Sequence, residues 1–573
     1  MQNPLFYHSL IQHCQNSIFS NIKTLLLMFY TYLKIAFRHL GRRWLYSLLT
    51  SVGLSIGIAC MLLAVLYVQR EWSYDRFHEK NPHLYRITTS LKTNRGDQPK
   101  PTGGTGQVQG PTFGAQVPEI EAYVRLMGGD IFTDVQANGK VLKLQTLFAD
   151  DNFFNVFTFR LLRGNPQAVL RDVNSVVITE QTALRFFNST DVVGKLLSMD
   201  SDPSAQRLNK PLVISGVVEN PPANSSIQFD ALHPFRFLQL SFTDNNWLNS
   251  YLGTLVVLRP DADQQAVSQK FNRIYAQTAK EQWLNHRREN GYDPQISYGL
   301  QPVTDIHLNP LQSGSGNREG GVVKNSNPLY GYLFLGVASF ILLMAGINFV
   351  NISIAGSLSR AKEVGIRKAN GGSRLQLMGQ FLGETVLLCL FAFVLSLLWV
   401  QLALPVFNEL SNQPIAWREI QMIELSGYLM AILVVVSLLT GLYPAYVLSG
   451  FNPVAVLYGK QQLTGKNRVG QSLVVVQFVL AILLIVTSFV LQGQLNYIQT
   501  KDLGYNPYQI VRTHISGNRD YKAVQQILKD ETARQPAIEG ISFGQEFGNW
   551  QTDTKVNNRL IQSGYQAVDE AYI

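Results

Sequence analysis

Five stretches of this 573-residue chain are long, apolar and uncharged enough to cross a lipid bilayer, and any fold of the chain must accommodate them. A hydrocarbon core about 30 Å thick is crossed by about 20 helical residues. The qualifying runs are Leu45 to Val68, Gly331 to Ile354, Thr385 to Leu404, Ser426 to Val447 and Leu473 to Leu491. The chain also exceeds the ~250 to 300 residues at which single cores stop growing, so several units are expected. Only 15% of its residues are charged, against ~25% in average soluble chains. The mean hydropathy is nevertheless near neutral at +0.03, so the apolar runs are averaged against a large soluble part.

Lysine and arginine in the short flanks set the orientation. Lys23, Lys34, Arg38, Arg42 and Arg43 precede the first run without an acid. Arg360, Lys362, Arg367, Lys368 and Arg374 lie between the second and third runs against Glu363, and Lys460, Lys466 and Arg468 lie between the fourth and fifth. The loop between the third and fourth runs has Arg418 facing Glu409, Glu419 and Glu424. One topology follows, with the N-terminus in the cytoplasm and residues 70–325 outside it. The cytoplasmic pieces carry thirteen bases against one acid, or +12, so the rest of the chain sums to −3 given the total of +9. The basic pI of 9.2 is therefore a topology signal, and nucleic acid is not expected as a partner.

Cys60 and Cys389 fall inside apolar runs, Cys14 lies near the start, and none lies between Glu71 and Asn325. The extracytoplasmic region is thus expected to hold together by its own core, without disulfides, and cysteine ligation of a metal is excluded. There Val176 to Thr179 and Leu212 to Val218 read as strands, and Gln181 to Phe187 and Gln264 to Trp283 read as helices. The second helix carries Val267, Phe271, Ile274 and Tyr275 on one face. Pro221 to Asn224 is a turn signal, and residues 93–114, rich in Gly, Thr and Pro, read as a mobile loop. The expected fold class is an α-helical membrane protein with a large α+β extracytoplasmic domain.

Motifs with chemical meaning are few. Gly53-Leu54-Ser55-Ile56-Gly57 matches a hydrolase elbow string, but the elbow needs a strand-to-helix turn and this string lies within an apolar helix. Gly53 and Gly57 fit better as a small-residue face for packing another membrane helix. No Gly-Lys pair is followed by Ser or Thr, so the phosphate-cradling loop of NTPases is missing, and no His-Glu-x-x-His string exists. Catalytic and metal-ligating residues are therefore not assigned. His307 reads as a surface or satisfied group and not as a metal ligand, and the triplets at Asn188 and Asn224 are common by chance. Glu384, at the mouth of the third run, is a candidate intramembrane functional acid, but its interfacial position favours a snorkelling or helix-pairing residue. In Ser359 to Phe381, Arg360 to Asn370 reads as a short basic amphipathic helix, Gly371-Gly372 breaks it, and a second amphipathic helix feeds the third run. Positive-inside anchoring accounts for that segment as well as a docking knob does.

The same segment resembles the cytoplasmic signature of the FtsX-like permease domain of MacB-type ABC transporters. The matching residues are Arg360, Glu363, Gly365, Ile366, Arg367, Lys368, Gly371 and Gly372. Residues 70–325 resemble the MacB-type periplasmic core domain through Asn152-Phe153-Phe154, Arg163 to Pro166, Ser175 to Glu180, Val193 to Lys195 and Val303 to Leu308. Tyr32 to Arg38 and Asp75 to His78 resemble the start of two-module members.

The resemblance begins at Met28 and marks residues 1–27 as an upstream extension, with 28–44 a cytoplasmic amphipathic helix. It also makes 359–381 the ATPase-coupling segment, 448–470 a cytoplasmic linker, and 492–573 the start of a second extracytoplasmic domain in a truncated sequence. It implies an inner-membrane permease whose partner is a cytoplasmic ABC ATPase dimer using ATP and magnesium. Motion would be relayed to extracytoplasmic domains that handle a peptide, lipoprotein, lipid or drug, with a periplasmic adaptor or outer-membrane protein as a further partner. Two rivals remain open: an FtsX-like regulator of a cell-wall hydrolase, and a membrane-anchored sensor.

Overall fold

The computed structural model describes residues 44–92, 100–199, 202–290, 295–309, 311, 320–322, 324–357, 361–415, 422–450, 468–502, 509–513, 515, 520–544, 550–556, 559–565 and 568–570. Two compact units emerge, Met1–Arg70 with Leu329–Tyr508 and Glu71–Pro328 with Gln509–Ile573. The N-terminal extension, the amphipathic helix expected over 28–44 and most of the 448–470 linker lie outside the described residues.

The first unit is helical. Trp44–Trp72, Pro328–Ser357, Arg374–Ser411, Met422–Ser449 and Arg468–Thr500 are each long and apolar enough to cross a membrane. Every one outruns its apolar stretch, because helix propensity continues into the polar flanks. The expected amphipathic helix ahead of the third run is not separate: Arg374–Ser411 is one helix of 38 residues. Pro405 and Pro444 sit inside the third and fourth helices, as membrane helices tolerate. Leu54, Ile58 and Leu62 of the first span pack with Phe349 of the second, Cys389 and Ala392 of the third and Val436 of the fourth.

The second unit contains a mixed eleven-stranded sheet with helices against it, the α+β architecture expected. Its strands are β1 (Leu84–Lys92), β2 (Lys100–Thr102), β3 (Ile120–Ala137), β4 (Lys140–Ala149), β5 (Leu161–Arg163), β6 (Ser175–Thr179), β7 (Leu196–Leu197), β8 (Leu212–Val218), β9 (Ala231–Pro234), β10 (Gly253–Leu258) and β11 (Gln295–Pro302). The order is β11-β1-β10-β3-β4-β9-β6-β8-β5, with β2 on β1 and β7 on β8. Only β4 with β9 and β6 with β8 run parallel. The long β3–β4 hairpin turns through Asn138 and Gly139, both at positive φ, the two-residue chemistry that matches strand twist. Val176, Val177 and Ile178 of β6 are fully buried, as suits an unbroken β-branched run inside a sheet.

Two sequence expectations are corrected here. The helix read over Gln264 to Trp283 is two helices, Gln264–Thr278 and Lys280–Asn290. Between them buried Ala279 closes the first, and Gln282 is bonded to the backbone of Asn245 and Trp247. The stripe Val267, Phe271, Ile274 and Tyr275 is buried as one face.

The second correction concerns the glycine-rich stretch. Of the loop read as mobile, residues 100–114 are packed structure that includes β2 and the start of the helix Gln109–Gln116. Its glycines serve close approach: a Cβ on Gly103 would lie 2.3 Å from the Arg86 guanidinium carbon, and one on Gly114 would lie 2.6 Å from the Tyr123 ring.

Candidate coupling element

The segment between the second and third spans folds as a helix, a glycine turn and a capped helix start. Ala361–Ala369 is helical and ends in a Schellman arrangement. Gly371 N–H donates to Lys368 O at 3.1 Å and Gly372 N–H to Arg367 O at 2.9 Å, with Gly371 at φ +90°. A side chain at Gly371 would strain the backbone, and a Cβ at Gly372 would lie 2.9 Å from Arg367 O. The next helix starts with a capping box, in which Ser373 Oγ accepts from Gln376 N and Gln376 Oε1 accepts from Ser373 N. Such a cap contributes about 1 kcal/mol.

Two arginines brace this turn. Arg367 pairs with Glu363 one turn back at 2.8 Å and donates to Gln380 Oε1 of the third span. Gln380 is buried and donates to Glu384 Oε1 at 3.3 Å. Arg374 Nε donates to Ser449 Oγ at 3.3 Å, and its guanidinium lies 4.6 Å from the Tyr446 ring centroid, so it holds the end of the fourth span. Beneath them Val364, Leu377, Phe381 and Ala445 form an apolar cluster. Gly365 of the same helix is buried, whereas Ile366 faces outward, 52% exposed.

Of the residues singled out by sequence, Glu363, Gly365, Ile366, Arg367, Lys368, Gly371 and Gly372 are thus gathered in one compact turn. Arg360 lies outside the described residues. Sequence reading did not find Gln380, Tyr446 or Ser449. The four-residue spacing of Gln380 and Glu384 was available as a signal, whereas Tyr446 and Ser449 come from another helix.

The glycines of the first span differ from each other. A Cβ on Gly57 would lie 3.0 Å from Ala345 Cβ and 3.2 Å from Leu342 Cα, whereas Gly53 has nothing within 4 Å. Among the described residues, close approach is made at Gly57. Ser55 accepts from the Trp399 indole at 3.1 Å and donates to Val52 O, so the elbow-like string is helix packing. Among the described residues no group of three or more His, Cys, Asp and Glu could hold a metal ion.

Residues 47–274 match the MacB-like periplasmic core domain, and residues 335–453 match the FtsX-like permease C-terminal domain. The macrolide export ATP-binding/permease protein MacB of Salmonella typhi is 24% identical over 287 residues, covering 49% of this chain and 37% of the relative. The chain therefore spans well under half the length of that curated relative. Among solved structures, a domain of a permease protein from Porphyromonas gingivalis is 22% identical with a TM-score of 0.35, covering 45% of this chain and 99% of that one. The periplasmic region of MacB from Actinobacillus actinomycetemcomitans is 12% identical with a TM-score of 0.25, covering 38% and 90%.

Proposed function

The chain belongs to the MacB/FtsX-like family of ABC transporter permeases, and from that membership we propose that it is the transmembrane subunit of an ATP-driven export or mechanotransmission system. It sits in a bacterial inner membrane with its N-terminus in the cytoplasm and the sheet domain outside. A cytoplasmic ABC ATPase dimer, a separate subunit that consumes ATP with magnesium, docks on residues 361–374. Its closure is relayed through the helices to the extracytoplasmic domain, which handles a peptide, lipoprotein, lipid or drug.

The observation that supports this reading is the construction of the glycine turn. A loop needed only for topology requires positive charge and nothing more. This one is capped at both helix ends, braced by Arg367 to the third span and by Arg374 to the fourth, and leaves Ile366 outward. A load applied there is carried into two membrane helices instead of being absorbed by a slack loop. Arg367 belongs to the brace and Ile366 to the docking face.

The test is co-purification and ATP turnover in proteoliposomes with the partner ATPase. Ile366→Asp is expected to lower ATPase co-purification about tenfold, the loss of one well-buried apolar anchor. Arg367→Glu is expected to keep membrane insertion and to lower coupled turnover by a similar factor. Unchanged binding and turnover in both variants would refute the docking role.

A further inference from the structure

We propose that Glu71 and His307 form a lock that fastens the two ends of the extracytoplasmic domain to each other, so that motion arriving through either adjoining membrane helix moves the domain as one body. The proposal deepens the reading above and rests on it for the source of the motion.

Glu71 lies in the last turn of the first helix, Trp44–Trp72, whose chain runs on into residues 73–81, and residues 324–327 lead directly into the second helix. Inside the domain these two segments meet. His307 Nε2 lies 3.2 Å from Glu71 Oε2, with the side chains only 2% and 3% exposed. The other ring nitrogen, Nδ1, lies 3.2 Å from Lys324 O. Both neighbours are oxygens, so each ring nitrogen has a polar partner and the imidazole bridges Glu71 to the outgoing backbone. Tyr74 stacks flat on the imidazole, with centroids 3.4 Å apart and planes 2° from parallel. Ser326 N–H donates to His307 O at 2.7 Å, so His307 is joined to the outgoing segment by backbone as well as by its ring.

The same junction has a second layer. Asp75, at φ +55°, accepts through Oδ1 from Ser226 N at 2.8 Å and from Ser225 Oγ at 3.3 Å, and its own N–H donates to Asn224 O. Asn224 Nδ2 donates back to Ser73 O, and Lys324 Nζ donates to Ala223 O at 3.2 Å. The turn at residues 222–226 is thus a peg gripped by both ends of the domain. His78 Nδ1 accepts from Thr158 N at 3.1 Å and extends the grip toward β5.

Burying a polar pair this deeply makes little sense as a source of stability, because desolvation offsets most of the attraction. It does impose one geometry: the imidazole meets Glu71 with one nitrogen and the outgoing backbone with the other, so parting either contact strips a buried polar group of a hydrogen bond and the two segments release together. Two of the fragments that carry the family resemblance, Asp75 to His78 and Val303 to Leu308, supply this junction from sequence positions more than two hundred residues apart.

The experiment has two readouts on the full chain in nanodiscs. Amide exchange reads the lock itself. Glu71→Gln is expected to speed exchange about tenfold or more in residues 303–309 as well as in 71–81, with β6 and β8 unchanged. His307→Phe, which keeps a ring against Tyr74, gives the same pattern, and the double variant adds little to either. Arg259→Ala, which removes an exposed pair with Asp261, changes neither segment. A change confined to the segment carrying each substitution overturns the lock.

The second readout is a spin label at exposed Val141, measured with the partner ATPase before and after trapping with ATP and vanadate. Wild-type chains shift on trapping, whereas both lock variants lose most of the shift while ATP turnover stays within about twofold. A full shift in the variants overturns the transmitting role. If wild-type chains show no shift at all, the motion-relay reading falls and the transmitting role with it, while amide exchange still decides whether the lock exists.

Discussion

The first and fifth membrane helices are both long, strongly apolar and poor in charge, and they end up in opposite surroundings. Half of the best apolar window of the first is buried among its neighbours, and none of that of the fifth is. The first places Ser51, Ser55, Gly57, Ala59 and Ala64 among its packed positions, small residues that let backbones approach, with the Ser55 hydroxyl bonded to Trp399. In the fifth, Val475, Phe478, Val479, Ile482 and Phe489 are 58% to 74% exposed, with Gln477 accepting from Asn351 of the second span at 3.4 Å. The contrast continues into what each span leads to. The first opens into a domain with a large buried core, whereas the helix Tyr521–Ala533 beyond the fifth has no buried residue. Hydropathy selects the segments that enter lipid, and small or hydroxyl-bearing side chains select those that pack once there.

Acid gives the largest expected separation between these regions. Burial lowers His78 to about 4 and His233 to about 3. Both are neutral in the folded domain, while the unfolded chain takes up protons below about pH 6.5. Stability carried by these groups is complete above pH 6.5, falls as pH drops toward 4 and 3, and is lower by about 2 kcal/mol per histidine at pH 5. Amide exchange in β6 and β9 of the full chain is expected to accelerate over that range, and His233→Phe should remove roughly half of the effect. Exchange in residues 521–533 should change little, and equal acceleration there would break the comparison.

A steric substitution comes next. Gly57→Leu must push Leu342 and Ala345 aside, and overpacking of that kind costs about 1 to 3 kcal/mol. Gly493→Leu in the fifth span meets open space and improves helix propensity, so its effect should stay within about 1 kcal/mol and be favourable. Thermal unfolding in one detergent, followed by size-exclusion fluorescence, checks both; similar losses would mean that the fifth span packs as tightly as the first.

The smallest effect concerns a hydroxyl. Ser55→Ala deprives the Trp399 indole of its acceptor and should cost about 0.6 kcal/mol, the average for hydrogen bonds between membrane helices. Ser488→Ala, on the exposed fifth span, should be indistinguishable from wild type in the same assay.

The legibility of the fold followed the range of the physics involved. Apolar runs and β-branched strands announce themselves within twenty residues, which is why β6, β8 and the five membrane-length helices could be placed. Residues 100–114 were misread because glycine serves mobility and close approach equally well, and only the partner reveals which. Here that partner is Arg86 or Tyr123. The break at Ala279 was invisible for the same reason, since it depends on Gln282 bonding to Asn245 and Trp247. In the candidate site, the glycine turn and Glu363 with Arg367 were local and readable. Gln380 as an acceptor, and Arg374 resting on Tyr446, required the third and fourth helices to be set beside the turn.

By itself the sequence determined that this chain meets a membrane through about five helices, carries its positive charge in three short flanks, and hangs an α+β body between the first two spans. Those properties follow from transfer energies and propensities, which are sums over neighbours in the chain. Only the tertiary structure decided that Gly57 meets Ala345 and Leu342, that Arg367 braces while Ile366 faces outward, and that Glu71 finds His307. Contacts between distant residues depend on which surfaces the whole fold brings within a few ångströms, and no local pattern encodes that distance.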